Sequence, residues 1–361
     1  MIDDLDEVRA LLPGTTVEPV GALGGSDRSA VRRARLTPPG GTPTTVIVKT
    51  FDDPSSWARE SAALAVLPAG TPAPRLLAAG ASPPVVVMSD LGGGGSVADA
   101  LLGTDPLAAT TAVEAWADAI GAVHRATLGL RDAFRVELDA RAAPGSEPMT
   151  SLTATLEKSV DGLRAACEPL GVTVPEALAE AFRAEAARLG DDAAAALSPS
   201  DACPDNNVFT GDGLALIDFE HAEWRHLAWD VAYLRVPWPS CWCSWRLPDE
   251  VADRAVARYR AALADHLPYV ATPAFDRDVA AATDLWSVVY SSWFLPVALA
   301  EDAPAAPDPD MPGRRARLLH RLDLARASRR PEIAAFAAEL RGVLAARWGE
   351  TPLALAPAFR T

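Results

Sequence analysis

The residues best suited to chemistry lie in the segment 197–220, where Asp201 and Asn206 stand five positions apart. A short hairpin is predicted next, and Asp218 stands at the end of the apolar run 214–217. Carboxylate and amide oxygens are ligands of Mg²⁺, and a carboxylate can accept the proton of an attacking hydroxyl. The pattern is typical of phosphoryl transfer. Taken singly, these residues also fit ordinary turn formers and a strand-end cap.

A lysine and a glutamate upstream form a second candidate pair. Lys49 ends the apolar run 46–48, and Glu60 follows eleven positions later in a predicted helix over residues 55–67. A strand lysine held by a glutamate of the next helix contacts the α- and β-phosphates of a nucleotide in kinases. The alternative for this pair is a surface ion pair.

A glycine-rich turn between the first two predicted strands, residues 23–29, contains Gly24, Gly25 and Ser26. Glycines let backbone N–H groups approach an anion closely, and a serine hydroxyl adds a donor. The turn is therefore a candidate phosphate-covering loop, although an ordinary hairpin also explains it.

Composition limits the class of protein. The chain has 361 residues, 49% of them hydrophobic, and a net charge of −15. This length favours two domains or lobes with a cleft between them. The negative charge disfavours binding to nucleic acid or anionic membrane and favours a cationic small molecule. An acidic surface that only keeps the protein in solution also explains this charge.

The predicted elements divide into a strand-rich and a helix-rich part. Three strands within residues 16–51, the helix 55–67 and strands 75–81 and 84–90 predict a five-stranded sheet with one helix. The run Gly92–Gly95 is a candidate hinge. Residues 131–149 and 301–310 have no clear pattern. Helices are predicted at 96–102, 106–128, 151–170, 175–189, 247–267, 275–300, 312–327 and 331–348.

The four cysteines are Cys167, Cys203, Cys241 and Cys243. Cys241 and Cys243 are too close in sequence for a good mutual disulfide, and no paired spacing typical of a metal site is present. We favour reduced, buried thiols over a zinc site made from the last three. With an acidic N-terminus and no long apolar run, the chain is expected to be soluble and cytoplasmic.

The ordered combination of these motifs resembles the aminoglycoside phosphotransferase family. The resemblance rests on the pattern Asp-x-x-Pro-x-Asn at 201–206 and on Asp218-Phe219-Glu220. It implies an α+β, protein-kinase-like two-lobed fold. Residues 1–90 would form a nucleotide-binding lobe with a five-stranded antiparallel sheet plus helix, and residues 91–361 a mainly helical lobe with the catalytic loop and the substrate site.

The resemblance also implies roles for single residues. Asp201 would be the catalytic aspartate, and Asn206 and Asp218 would bind Mg²⁺. The cosubstrate would be ATP, with GTP as the alternative. The residues assigned to nucleotide binding are Gly24, Gly25, Ser26, Lys49, Glu60, Met88 and Asp90.

The chain departs from the family pattern at the catalytic loop. Pro199-Ser200 stands where His-Gly is usual, and Cys203 occupies a position commonly held by histidine. Asp230 resembles a family aspartate that braces this loop through hydrogen bonds. A long activation segment of the protein-kinase type is absent from the sequence, which favours a small-molecule acceptor over a protein.

The acceptor is expected to be a small molecule with a hydroxyl group, cationic or aminoglycoside-like. Carboxylates of Glu220 and Glu223 near several tryptophans could hold such a ligand, while the alternative places the aromatic residues in the core. The alternatives for function are a choline, homoserine or sugar kinase and a non-catalytic nucleotide-binding regulator. The oligomeric state stays open. The aromatic residues are Trp224, Trp238, Trp242, Trp245, Trp286, Tyr290, Trp293 and Phe294.

Overall fold

A computed structural model describes residues 4–26, 29–142, 152–190, 192–236, 238, 241–300 and 311–360. Its N-terminal part contains a five-stranded antiparallel sheet with the order β1-β2-β3-β5-β4. The strands are β1 (Thr16–Ser26), β2 (Ser29–Thr37), β3 (Thr44–Phe51), β4 (Leu76–Ala81) and β5 (Pro84–Ser89).

The alternation of side chains along the sheet explains where Lys49 points. Val46 and Val48 of β3 belong to one buried cluster, together with Leu5 of helix α1 (Asp4–Leu11). Phe51, two positions beyond Lys49, packs in the cluster on the opposite face. Because strand side chains alternate between faces, Lys49 shares the second face with Phe51. Helix α1 was not predicted from the sequence.

Helix α2 (Pro54–Val66) covers that second face. Its start is fixed by Asp53, whose carboxylate accepts hydrogen bonds from the backbone N–H groups of Ser55 at 2.9 Å and Ser56 at 3.2 Å. Proline at the first position of the helix fits because its missing N–H would have no intrahelical partner there. This cap fixes the residue at which the helix begins. Glu60 lies on the side of the helix that faces the sheet, and it is 1% exposed.

The remainder of the described chain is mainly helical, as predicted, and α4 packs against α9 at its centre. The helices are α3 (Val97–Leu102), α4 (Pro106–Thr127), α5 (Arg131–Arg141), α6 (Leu152–Cys167), α7 (Glu176–Arg188), α8 (Ala228–Ala232), α9 (Asp249–Leu263), α10 (Pro273–Ala300), α11 (Arg314–Ala325) and α12 (Pro331–Trp348). The structure therefore confirms an α+β, protein-kinase-like fold. Residues 143–150 and 301–310 lie outside the described part.

Helix α5 was missed by the sequence analysis, which found no pattern over its residues. The helix buries only Phe134 and Leu138, one turn apart, and its other positions are polar or exposed. Two apolar positions are too few to produce a clear helical period. Tertiary contact with α2 compensates for the weak local signal.

Two small antiparallel sheets position the segment 197–220. Strands β7 (Asn207–Thr210) and β8 (Gly213–Leu216) form the predicted hairpin. Strands β6 (Ala195–Ser198) and β9 (Glu223–His226) form a pair that was not predicted. The segment between β6 and β7 carries Asp201, so these four strands fix both of its ends.

The glycine-rich turn was predicted over residues 23–29, and these bounds are wrong. Gly24, Gly25 and Ser26 belong to β1 and pair with Val31, Ala30 and Ser29 of β2. Residues 27–28, between the two strands, lie outside the described part. No helix in the described part of the chain has both the length and the apolar content needed to cross a bilayer.

Candidate active site

A cleft of about 430 Å³ lies between the five-stranded sheet and the β7–β8 hairpin. Six residues that the sequence assigned to nucleotide or magnesium binding line it. Leu23 and Ser29, which flank the glycine segment, line it as well. The cleft therefore gathers residues from parts of the chain that are far apart in sequence. The six residues are Lys49, Glu60, Met88, Asp90, Asn206 and Asp218.

The ammonium group of Lys49 lies among three carboxylates at the inner end of this cleft. Its Nζ is 2.7 Å from Glu60 Oε2, 2.6 Å from Asp218 Oδ1 and 3.1 Å from Glu220 Oε2. Burial alone would lower the pKa of Lys49, but attraction to the three carboxylates raises it. Burial raises the pKa of Glu60 to about 7 despite the attraction of Lys49. The group is an internal ion cluster and not a surface ion pair.

The cluster has more acids than bases, which makes it suited to a divalent cation. Carboxylate oxygens of Glu60, Asp218 and Glu220 lie within 4.8 Å of one another. Hard oxygen ligands of this kind match Mg²⁺. Glu220 was predicted to contact the acceptor substrate. Its contact with Lys49 was not predicted, because nothing in the spacing of the two residues along the chain indicates it. The residues therefore fit a magnesium ion held by Asp218 and Glu220.

Asn206 is joined to this cluster through the backbone. Its carbonyl oxygen accepts a hydrogen bond of 3.0 Å from the N–H of Ile217, the residue before Asp218. Its side-chain Nδ2 donates to the carbonyl oxygen of Asp201 at 2.7 Å. That assignment of the amide presents Oδ1 as the atom for a cation. Asn206 therefore links the candidate metal ligands to the candidate catalytic residue.

Asp201 lies in the segment between β6 and β7 and is half-buried. Its Oδ1 accepts a hydrogen bond of 2.9 Å from the Cys203 thiol. Cys203 therefore donates a hydrogen bond to the candidate catalytic residue from a position where the family commonly has histidine. The part of Asp201 in proton transfer stays a prediction.

Ser200 adopts a left-handed backbone conformation, with φ of 62°. Glycine tolerates this region without the steric cost that a side chain brings. The family pattern places glycine at this position, and this backbone conformation is one that glycine adopts readily. The Ser200 carbonyl oxygen accepts hydrogen bonds from Arg225 at 3.2 Å and from the Tyr233 hydroxyl at 3.3 Å.

Asp230 binds the base of the same loop from a fully buried position. Its carboxylate accepts hydrogen bonds from Ser198 Oγ at 2.8 Å, from His124 Nε2 at 2.9 Å and from Arg225 Nη2. Burial would raise the pKa of Asp230, but Arg225 and His124 hold it well below its usual range. The carboxylate therefore stays ionised and connects β6, β9 and α4.

His124 is buried and has a hydrogen-bonding role beside the catalytic loop. Besides Asp230, its Nδ1 lies 2.8 Å from the hydroxyl of Tyr259. Both contacts span more than a hundred residues of sequence. No local signal could have identified them.

At the outer end of the cleft, Asp90 is engaged by an arginine. Arg33 Nε lies 2.6 Å from Asp90 Oδ2, and Arg33 Nη2 lies 3.0 Å from Asp90 Oδ1. The sequence analysis assigned Asp90 to nucleotide binding and did not single out Arg33. A planar guanidinium that grips a carboxylate with two nitrogens fixes its orientation. Asp90 therefore lines the cleft as half of an ion pair.

The glycine run after β5 packs closely against β7. A Cβ atom on Gly94 would lie 1.8 Å from the carbonyl oxygen of Phe209, so only glycine fits there. The Phe209 N–H donates to Gly95 O at 2.9 Å. The hinge expected at residues 92–95 stays a prediction, and Gly94 has a separate steric reason to be glycine.

The eight aromatic residues proposed for acceptor binding divide into three groups. Trp238, Trp245, Trp286 and Tyr290 are buried, as expected for core residues. Trp224 and Phe294 are half-buried. Trp242 and Trp293 are 40% and 47% exposed, so they are the two of the eight most accessible to a ligand.

Comparisons with known proteins agree with this architecture. Residues 25–277 match the family model described as the phosphotransferase enzyme family. A search of curated proteins gave no significant match.

Solved structures similar to this chain include an ethanolamine kinase of Plasmodium vivax, with a TM-score of 0.52, 10% identity and coverage of 93% of this chain and 86% of that chain. A choline kinase of Cryptosporidium parvum has a TM-score of 0.50, 11% identity and coverage of 94% and 98%. The streptomycin–ATP complex of APH(2″)-IIa has a TM-score of 0.48, 13% identity and coverage of 83% and 96%. At these identities the similarity to the ethanolamine kinase and to the choline kinase establishes the fold alone.

Proposed function

Because this chain belongs to the phosphotransferase enzyme family, we propose that it moves the γ-phosphoryl group of ATP to a hydroxyl group of a small molecule, with Mg²⁺. The observation that carries the proposal is the position of Lys49. Its ammonium group contacts Glu60 and Asp218 at 2.7 and 2.6 Å inside a cleft that Asn206 also lines. Phosphoryl transfer needs a fixed positive charge beside oxygens that bind a metal ion. Lys49 supplies the charge, and the carboxylates with Asn206 supply the oxygens.

The polar residues at the inner end of the cleft, and Asp201 in the segment between β6 and β7, have separate tasks in this proposal. Glu60 holds Lys49 toward the phosphates, and Asp218, Glu220 and Asn206 hold Mg²⁺. When bound there, the ion neutralises charge on the phosphate oxygens. Asp201 orients the acceptor hydroxyl and accepts its proton. The hydrogen bond from Cys203 to Asp201 Oδ1 fixes the orientation of that carboxylate.

The acceptor is proposed to be a small molecule, cationic or aminoglycoside-like. The net charge of −15 favours attraction of a cation. Exposed Trp242 and Trp293 could stack on a ring or contact an ammonium group. Choline, homoserine and sugar acceptors use the same nucleotide machinery and belong in the same assay.

Two variants separate binding from chemistry. Asp201→Asn should bind Mg·ATP with affinity close to that of the wild type and lose turnover by at least about a hundredfold, because the base acts only in the chemical step. Asp218→Asn should weaken magnesium-dependent ATP binding measured by calorimetry. The matched control is Asp212→Asn in the exposed β7–β8 turn, which should change neither. Unchanged turnover in Asp201→Asn would contradict the assignment.

A further inference from the structure

Three of the four cysteines converge beside the catalytic loop together with Asp205. Cys203 and Cys241 are 2% and 4% exposed and come from segments about forty residues apart. The two thiol sulfurs and a carboxylate oxygen of Asp205 all lie within 4.8 Å of one another. Two buried thiols and a half-buried carboxylate form a donor set that can bind a metal ion.

The spacing of these atoms fits a tetrahedral ion. Cys241 Sγ lies 3.3 Å from Asp205 Oδ1. An ion with a metal–sulfur distance of about 2.3 Å and a metal–oxygen distance of about 2.1 Å would separate two such ligand atoms by about 3.6 Å. A shift of a few tenths of an ångström would therefore bring both atoms into coordination.

Trp242 fixes the orientation of the carboxylate. Its indole Nε1 donates a hydrogen bond of 2.8 Å to Asp205 Oδ2, which leaves Oδ1 on the side of Cys241. Residues that hydrogen-bond to a metal ligand commonly orient it in this way. The hydrogen bond from Trp242 does not involve the thiols, and it supports a role for Asp205 as a metal ligand.

Cys243 adjoins the set without completing it. Its sulfur lies 2.9 Å from Cys241 Sγ, well beyond the roughly 2.05 Å of a disulfide bond. It is also closer than the roughly 3.8 Å that separates two thiolates on one tetrahedral ion. Cys243 is therefore placed to donate a hydrogen bond to Cys241.

We propose that Cys203, Cys241 and Asp205 bind a Zn²⁺ ion that ties the catalytic loop to the segment 241–243. Thiolate ligands select zinc over magnesium, so this site is chemically distinct from the oxygen-lined cleft. Without the ion, the Cys203 thiol donates a hydrogen bond of 2.9 Å to Asp201 Oδ1. A zinc-bound thiolate has no hydrogen to donate, so the metal–sulfur bond would replace this hydrogen bond and tie the loop that carries Asp201 to the segment 241–243.

The first experiment measures zinc on the full chain. The purified protein is treated with a chelator, given one equivalent of Zn²⁺, separated from free metal by gel filtration and analysed by atomic spectroscopy. We expect about one zinc per chain in the wild type. Cys203→Ser and Cys241→Ser should lose it. Cys167→Ser, a buried cysteine in helix α6, is the matched control and should retain it.

Two further measurements protect the test against variants that fail to fold. Co²⁺ added to the wild type should produce thiolate-to-metal charge-transfer absorption. Trp242→Phe, at a partly exposed position, should keep the fold and weaken zinc binding by about 10- to 100-fold, as loss of an outer-shell partner does. Absence of stoichiometric zinc and of the cobalt band in the wild type, or full zinc retention in Cys203→Ser and Cys241→Ser, would overturn the proposal.

Discussion

The ammonium nitrogen of Lys49 lies 2.6 Å from Oδ1 of Asp218, although the two residues are 169 positions apart. This contact joins the central strand β3 to the segment after the β7–β8 hairpin. It brings the nucleotide side and the metal side of the proposed site into one ion cluster. Stability and activity should therefore both depend on Lys49.

Replacement of Lys49 by methionine should lower the free energy of unfolding by about 3–5 kcal/mol, because buried carboxylates lose their partner. Glu60→Gln added to Lys49→Met should recover part of that loss, since one uncompensated charge is removed. Urea denaturation of both variants measures the difference. Turnover should remain absent in both, and equal stability of the two variants would contradict the electrostatic explanation.

Replacement of Asp230 by asparagine should also destabilise the chain by about 3–5 kcal/mol, because buried Arg225 would lose its charged partner. The catalytic loop should lose its anchor at Ser198, so kcat should fall more than KM rises. Thermal unfolding and steady-state kinetics check both effects. An Asp230→Asn protein with wild-type stability would contradict the bracing role.

Ser200 offers a test of backbone strain in the loop. Ser200→Gly should leave the free energy of unfolding unchanged or raise it by up to about 1 kcal/mol, since glycine adopts the left-handed region without a steric cost. Ser200→Val should lower the same quantity by about 1–2 kcal/mol. Denaturant titration distinguishes the two variants. A destabilised Ser200→Gly would show that the hydroxyl contributes more than the backbone conformation costs.

His320 on helix α11 should make stability depend on pH. Burial and the neighbouring Arg321 and Arg246 lower the pKa of His320 from 6.5 to about 4. The unfolded chain therefore binds this proton at higher pH than the folded chain. The contribution of neutral His320 to the free energy of unfolding is fully present above pH 6.5. As the pH falls toward 4, about 3 kcal/mol of this free energy is lost.

The variant His320→Gln isolates that contribution. Between pH 6.5 and pH 4, the wild type should lose more free energy of unfolding than the variant does, because other titrating groups act on both proteins. Denaturant titrations at several pH values give the difference. If the free energy of unfolding falls by the same amount in both proteins over this pH range, the result would contradict the burial of a neutral imidazole at His320.

The sequence predicted those parts of the site that depend on short-range pattern. Lys49 and Glu60 were found because an apolar strand and an amphipathic helix fix their faces within a few residues. The hairpin before Asp218 was found because an apolar run and a glycine-bearing turn are local signals. The fold class was implied by the resemblance to the aminoglycoside phosphotransferase family, which rests on the ordered combination of these motifs.

Contacts between distant segments were not predictable in this way. The pair His124–Asp230 spans 106 residues and the pair Arg33–Asp90 spans 57. Their partners are chosen by how helices and strands pack, which spacing along the chain does not encode. The approach of Cys203 to Cys241 belongs to the same class. Reduced, buried thiols were therefore favoured over a zinc site made from Cys203, Cys241 and Cys243, and Asp205 was not considered as a ligand.

The central claim is phosphoryl transfer to a small-molecule hydroxyl, and its most direct test uses ATP labelled at the γ-phosphate. The wild type and Asp201→Asn are incubated with Mg²⁺, labelled ATP and a panel of aminoglycoside, choline-like, homoserine and sugar acceptors. The account predicts a labelled acceptor with the wild type and none above background with Asp201→Asn. Tight binding of Mg·ATP by the wild type without transfer to any acceptor would contradict it and indicate a nucleotide-binding regulator.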